Sequence, residues 1–145
     1  MKQFRYRLER VLQYRNIVKA ERQRELQLRM GELHAAEQRL SDLQTELVER
    51  EAIDQGEHTG SMIAMAGNYE QRLRREIGET HEVILMKQVV VEEALNEYIE
   101  ASKDARALEL HKDDKLKEYV EETEREEGKF LDELTIQRMR LKEGL

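Results

Sequence analysis

A seven-residue repeat of leucine runs through the first third of the chain and constrains its fold more than any other feature. The repeat consists of Leu26, Leu33, Leu40 and Leu47, with Met30, Ala36 and Leu43 on the adjacent row. Apolar residues at this spacing share one stripe of an α-helix, and such a stripe is stable in water only against a partner helix. Closer to the start, Arg15, Lys19 and Arg22 interrupt the stripe. The pattern predicts one long coiled-coil helix whose apolar stripe packs less tightly near its start.

A second repeat with the same spacing occupies the later part of the chain. It consists of Ile77, Ile84, Val91, Tyr98 and Ala105, with Ala94, Ala101 and Leu108 on the adjacent row. Charged residues make up 39% of the chain, which contains no Pro and no Trp. This composition argues against β-sandwiches, β-barrels and α/β enzymes, because those folds need frequent turn residues and enough apolar bulk to cover a sheet. We expect an all-α fold of two long helices.

The heptad pattern is lost between the two repeats, where three of the seven glycines lie. This change predicts a turn region at 55–67, between a first helix over about 3–54 and a second helix over about 68–142. Asn68 with a glutamine three residues later is typical of a helix start, and Ser61 is an earlier candidate.

Two helices joined by one turn can bury their stripes against each other as an antiparallel coiled-coil hairpin. With the turn centred near residue 61, the numbers of facing residues add to about 122, so the second helix overhangs the first beyond about residue 120. Charge supports this pairing, because residues 2–29 carry a net charge of +6 and residues 109–133 carry −6. We expect a single domain over 1–145 with these segments together at its open end.

The chain lacks the residue patterns of an enzyme, a cofactor site or a metal site. It has no Cys, and its four histidines are scattered without the ligand spacing that zinc or calcium requires. No phosphate-binding glycine loop or nucleophile motif is present, so we expect neither catalysis nor a cofactor. The apolar clusters are much shorter than a membrane span. The absence of Cys fits a reducing compartment, and we expect a cytoplasmic protein.

The basic segment 2–29 has three possible roles. Its Arg and Lys residues alternate with Phe4, Tyr6 and Tyr14, a mixture that suits the phosphates of nucleic acid or anionic lipid. The net charge of −7 disfavours such a polyanion. Pairing with the acidic part of the second helix is the simplest role, and binding of a protein partner is the third.

The opening Phe4-Arg-Tyr-Arg-Leu-Glu-Arg-Val-Leu-Gln-Tyr-Arg15 resembles the start of the flagellar export protein FliJ family, in which an aromatic-basic pair leads into Leu-Glu-Arg-Val-Leu. The later half is similar to the second helix of that family. The matching residues there are Leu95, Ala101, Lys103, Leu108, Lys115, Glu118, Tyr119, Glu122 and the Phe130-Leu131-Asp132-Glu133 segment. Order, spacing and total length match over nearly the whole chain.

The resemblance implies a non-enzymatic coiled coil of the flagellar type III export apparatus, similar to the central stalk of rotary ATPases. Members place their terminal end in the pore of the hexameric export ATPase and promote its assembly or activity. Members also contact the cytoplasmic domain of the large export-gate membrane protein near the hairpin bend, and they escort export chaperones. The implied ATPase-binding residues are Phe4, Tyr6, Arg7, Arg10, Glu122, Asp132 and Glu133, and the implied gate-binding residues are Gln38, Leu43, Tyr69 and Leu73.

The same resemblance implies peripheral association with the inner face of the cell membrane at the flagellar base, through partners. Three alternatives stay open: a purely structural coiled coil such as a parallel homodimer, a stalk subunit of a conventional rotary ATPase, and a cargo-specific secretion chaperone. The turn is too short for the globular sheet domain of a rotary stalk subunit. We expect a monomeric hairpin when the chain is free, and no nucleic-acid partner.

Overall fold

The computed structural model describes residues 2–53 and 59–144. They form two α-helices, α1 over Glu9–Ile53 and α2 over Gly60–Glu143. No strand occurs in these two ranges. The prediction of an all-α fold with two long helices is confirmed.

Both helices begin at positions that differ from the sequence-based boundaries. α1 begins at Glu9 and not near residue 3, because the preceding residues 2–8 form an irregular strap whose aromatic side chains contact α2. α2 begins at Gly60 and not near residue 68. Thr59 caps it, since its hydroxyl accepts a hydrogen bond from the Met62 amide at 3.4 Å. Of the predicted turn at 55–67, residues 60–67 are helical, and residues 55–58 lie outside the described residues.

The chain divides into two compact units. The terminal unit comprises Met1–Val18 and Ala101–Leu145, and the central unit comprises Lys19–Glu100. Each unit therefore contains a part of α1 packed against a part of α2.

In the central unit the two helices run antiparallel. Arg22 pairs with Glu97 at 3.1 Å, and Glu32 pairs with Lys87 at 4.0 Å, so a step forward along α1 is a step back along α2. The buried apolar residues are Ala36, Leu43, Leu73, Ile84 and Ala94. All five belong to the repeats or continue their stripes, which confirms the predicted seam. Met30 is an exception among the repeat residues, because 53% of it is exposed.

The terminal unit has the same antiparallel arrangement. Arg15 pairs with Asp104 at 3.4 Å, and Glu9 pairs with Lys112 at 2.8 Å. In both units the numbers of facing residues add to about 119, close to the predicted 122. The buried residues are Tyr6, Leu12, Ala101 and Ala105. Arg15 and Arg22, two of the three basic residues that interrupt the predicted stripe on α1, thus form ion pairs across the seam.

Within the terminal unit α2 extends past the last contact with the strap. Every residue from 124 to 143, a segment that we call the arm, is helical and exposed. The predicted overhang of the second helix is therefore present in this unit.

We expect Leu43→Ala to lower the free energy of unfolding by about 2–4 kcal/mol, because Leu43 is only 1% exposed and its removal leaves a cavity in the seam. Val48→Ala is the matched control on the same helix, since Val48 is 65% exposed, and it should cost less than about 0.5 kcal/mol. Urea unfolding followed by circular dichroism measures both. Equal effects of the two substitutions would contradict the assigned seam.

Candidate partner-binding site

The strap of residues 2–8 is attached to α2 through aromatic contacts. The ring of Phe4 lies against that of Tyr119, with centroids 5.5 Å apart and an interplanar angle of 49°. The Tyr119 hydroxyl donates a hydrogen bond to the Lys2 carbonyl oxygen. Phe4 and Tyr119 both belong to the segments that carry the family resemblance. Their contact depends on the antiparallel register, so it cannot be deduced from either residue alone.

Tyr6 is the second anchor of the strap and is buried. Its hydroxyl lies 2.5 Å from Nδ1 of His111 and 3.4 Å from the Leu108 carbonyl oxygen, to which it can also donate. The Tyr6 and His111 rings meet edge to face at 5.5 Å. The sequence alone does not reveal the role of His111, because an isolated histidine on a charged helix gives no indication of a distant aromatic partner.

A surface groove of about 720 Å³ opens beside these anchors within the terminal unit. Its wall includes Arg7 from the strap and Glu122 from α2, together with the anchoring rings. The groove therefore combines aromatic surface with charges of both signs. Such a mixture suits a protein partner better than a single small ion.

The seven proposed ATPase-binding residues all lie in the terminal unit but not in one cluster. Phe4, Tyr6, Arg7 and Glu122 line the groove. Arg10 is exposed on the first turns of α1, and Asp132 and Glu133 are exposed on the arm. At about 1.5 Å per residue, the arm carboxylates lie roughly 15 Å further along α2 than Glu122. A partner that contacts the whole set must span the strap and the arm.

The four proposed gate-binding residues lie in the central unit and differ in exposure. Leu43 and Leu73 are 1% and 4% exposed, so their side chains support the seam and are not available to a partner while the helices are packed. Gln38 is exposed and donates a hydrogen bond to Asp42 at 3.2 Å. Tyr69 is half-buried. The accessible part of this set is therefore Gln38 and Tyr69.

Tyr69 is held by two neighbours on α1. Its hydroxyl donates to the Glu46 carboxylate, and the guanidinium of Arg50 lies 3.8 Å from the centroid of its ring. The hydrogen bond to Glu46 raises the pKa of Tyr69 above the usual value of 10.0, with smaller contributions from desolvation and from the negative charge of Glu46. The phenol is thus kept neutral and fixed in orientation.

The described residues also bear on metal binding and on membrane crossing. Within residues 2–53 and 59–144, no group of three or more His, Asp or Glu side chains is arranged to hold a metal ion. Neither helix, over its described residues, has a stretch long and apolar enough to cross a membrane.

The raised pKa of Tyr69 gives a testable pH dependence. Because the folded-state pKa is raised, the hydrogen bond stabilises the fold below the unfolded value, and this stabilisation is lost as pH rises through the folded-state pKa. We expect Glu46→Gln to bring the Tyr69 titration down towards the usual value. The difference in ultraviolet absorption between each protein and its Tyr69→Phe counterpart isolates this phenol. An unchanged titration in Glu46→Gln would contradict the assigned hydrogen bond.

Comparison with known proteins identifies the family of the chain. The family model for the flagellar FliJ protein matches residues 4–144. No curated protein matches the chain. A similar solved structure is that of a protein from Chlamydia trachomatis assigned provisionally as a YscO homolog, with 24% sequence identity, a TM-score of 0.46, and coverage of 96% of this chain and 97% of that chain. Because the family model covers almost every residue, the chain belongs to the FliJ family of flagellar export proteins.

Proposed function

We propose that this chain is a stalk-like connector in flagellar type III export, which binds the hexameric export ATPase through its terminal unit and the membrane export gate through its central unit. It promotes assembly and activity of the ATPase and has no catalytic activity of its own. It also escorts export chaperones, and it is cytoplasmic, reaching the membrane at the flagellar base only through its partners. Family membership supports the role in export.

The observation that carries the ATPase assignment is the exposed arm. A single helix of twenty residues is about 30 Å long and roughly 10 Å wide, dimensions that can enter the opening of a protein ring. The arm presents apolar and charged side chains on all sides, because no other described part of the terminal unit covers it. The strap and its groove lie where the arm begins, so they are placed to contact the rim of such a ring.

Arg7 and Arg10 supply positive charge at that rim. Both are exposed, and neither forms an ion pair with any residue in the ranges 2–53 and 59–144. Their charges are therefore available to carboxylates of a partner, where they would raise the association rate and the specificity of docking. The Tyr6 and Leu8 carbonyl oxygens accept backbone hydrogen bonds from Glu9 and Leu12, whereas the first part of the strap is held through the Tyr119 side chain, so that first part can shift on binding.

Reversing these charges tests the proposed ATPase contact. We expect Arg7→Glu/Arg10→Glu to weaken binding to the export ATPase by about tenfold or more, because two attractions become repulsions. Surface plasmon resonance at two salt concentrations measures the affinity, and circular dichroism checks that helicity is unchanged. Arg24→Glu, an exposed charge reversal in the central unit, is the control. Equal affinities for wild type and the double variant would remove the strap region from the interface.

The gate contact has a separate test in the central unit. We expect Tyr69→Ala to weaken binding to the cytoplasmic domain of the export gate by about tenfold, since a fixed aromatic ring is a typical centre of binding energy. ATPase binding should not change. Tyr14→Ala removes an equally large ring that is 60% exposed and belongs to neither proposed set, and it serves as the control. Loss of binding in both variants, or in neither, would contradict the assignment.

A further inference from the structure

The arm carries an apolar stripe that nothing covers in the described part of the terminal unit. Phe130, Leu134 and Leu141 are 62%, 38% and 71% exposed. They follow one another at intervals of four and seven residues, so they share one side of the helix. Glu127 and Gln137 complete the same stripe at coiled-coil spacing. The arm thus presents the residue spacing of one helix of a coiled coil.

A helix of this kind gains from being paired. An isolated helix of about twenty residues is only marginally stable in water, because its side chains bury nothing against a second element. Gly128 adds a cost of about 1 kcal/mol relative to Ala. Covering the stripe would therefore stabilise the helical form of the arm as well as bury its apolar surface.

The charge distribution of the arm favours pairing with a second arm that runs in the opposite direction. Residues 124–133 contain five acidic and two basic residues, a net charge of −3, and residues 134–143 contain one acidic and three basic residues, a net charge of +2. Two such arms side by side in the same direction would place like charges together. In opposite directions, each acidic half would face a basic half.

We propose that the arms of two copies of this chain pair as a short antiparallel coiled coil. Aligning Phe130 with Leu141 of the second copy also aligns Leu134 with Gln137, and both alignments repeat by the two-fold symmetry. Glu133 then flanks Arg140 of the second copy, and the same pair forms a second time. The stripe positions aligned in this register run from Phe130 to Leu141, so they do not include Tyr119, which contacts the strap.

The proposed contact is small and adds to the seams within each chain without replacing them. The aligned stripe residues span only about three helical turns of each arm, so we expect the pairing to be reversible, with a monomer in dilute solution. Pairing would cover the stripe that is exposed for the export ATPase. That regulatory consequence, but not the pairing itself, rests on the proposed function.

Sedimentation equilibrium of the chain alone, over about 1 µM to 1 mM, tests the pairing. We expect a concentration-dependent monomer–dimer equilibrium that Leu134→Ala weakens more than tenfold, because the truncation removes apolar contact twice in the dimer. Ile136→Ala is the matched control, since Ile136 is 50% exposed on the same arm but lies off the stripe, and it should change the dissociation constant less than twofold. A monomer at all concentrations, or equal effects of the two substitutions, would overturn the proposal.

Charge exchange tests the antiparallel register. We expect Glu133→Lys and Arg140→Glu each to weaken self-association by about five- to tenfold, because each replaces two attractions by two repulsions. Mixing the two variants should restore dimers, and so should the double variant Glu133→Lys/Arg140→Glu. Single variants that do not recover on mixing, or an Arg140→Glu variant that dimerises like wild type, would overturn this pairing. The assay contains no ATPase, so a failure of the pairing would not contradict the proposed export function. A failure of ATPase binding would likewise not contradict the pairing.

Discussion

The antiparallel seam between α1 and α2 is the interaction on which each unit depends. Each helix contributes a single apolar stripe, so the seam is only one row of side chains deep. Leu43 at 1% exposure and Ala105 at 0% are the best-covered positions of the central and the terminal unit, respectively. Small alanines on α2 allow the backbones to approach closely, and the ion pairs between Arg15 and Asp104 and between Arg22 and Glu97 fix the register where the stripe is basic. These pairs are exposed, so they select the alignment more than they stabilise the fold.

The heptads predicted both helices, and a turn centred near residue 61 predicted the facing positions to within about three residues. The opposite charges of the two segments supported the antiparallel direction. Helix ends were less predictable. The sequence favours Asn68 as the cap, but α2 begins at Gly60, eight residues earlier, because the Thr59 hydroxyl accepts a hydrogen bond from the Met62 amide in the first turn. The sequence predicts helix from about residue 3, through most of the strap, because it does not reveal that Tyr6 contacts His111 more than one hundred residues later.

The candidate site, like the helix ends, could be predicted from the sequence only in part. Family resemblance selected Leu43 and Leu73, and the structure shows both in the seam, where they serve packing. Exposure separates such supporting residues from Gln38 and Tyr69, which a partner can reach. In the terminal unit, the residues selected from the sequence lie along the strap, the groove and the arm, and this spread is typical of an extended protein interface more than of a compact pocket. The arm combines an uncovered stripe with a charge gradient, so its pairing state would decide when the proposed ATPase contact is available.

The most direct test of this account is the turnover rate and assembly state of the flagellar export ATPase from the same organism, at a concentration below that at which it forms hexamers. Both quantities are measured with and without this chain, by phosphate release and by light scattering. A stalk-like connector predicts faster turnover together with ring formation. An ATPase that neither assembles nor accelerates when the chain is added in excess would contradict the proposed role of the terminal unit.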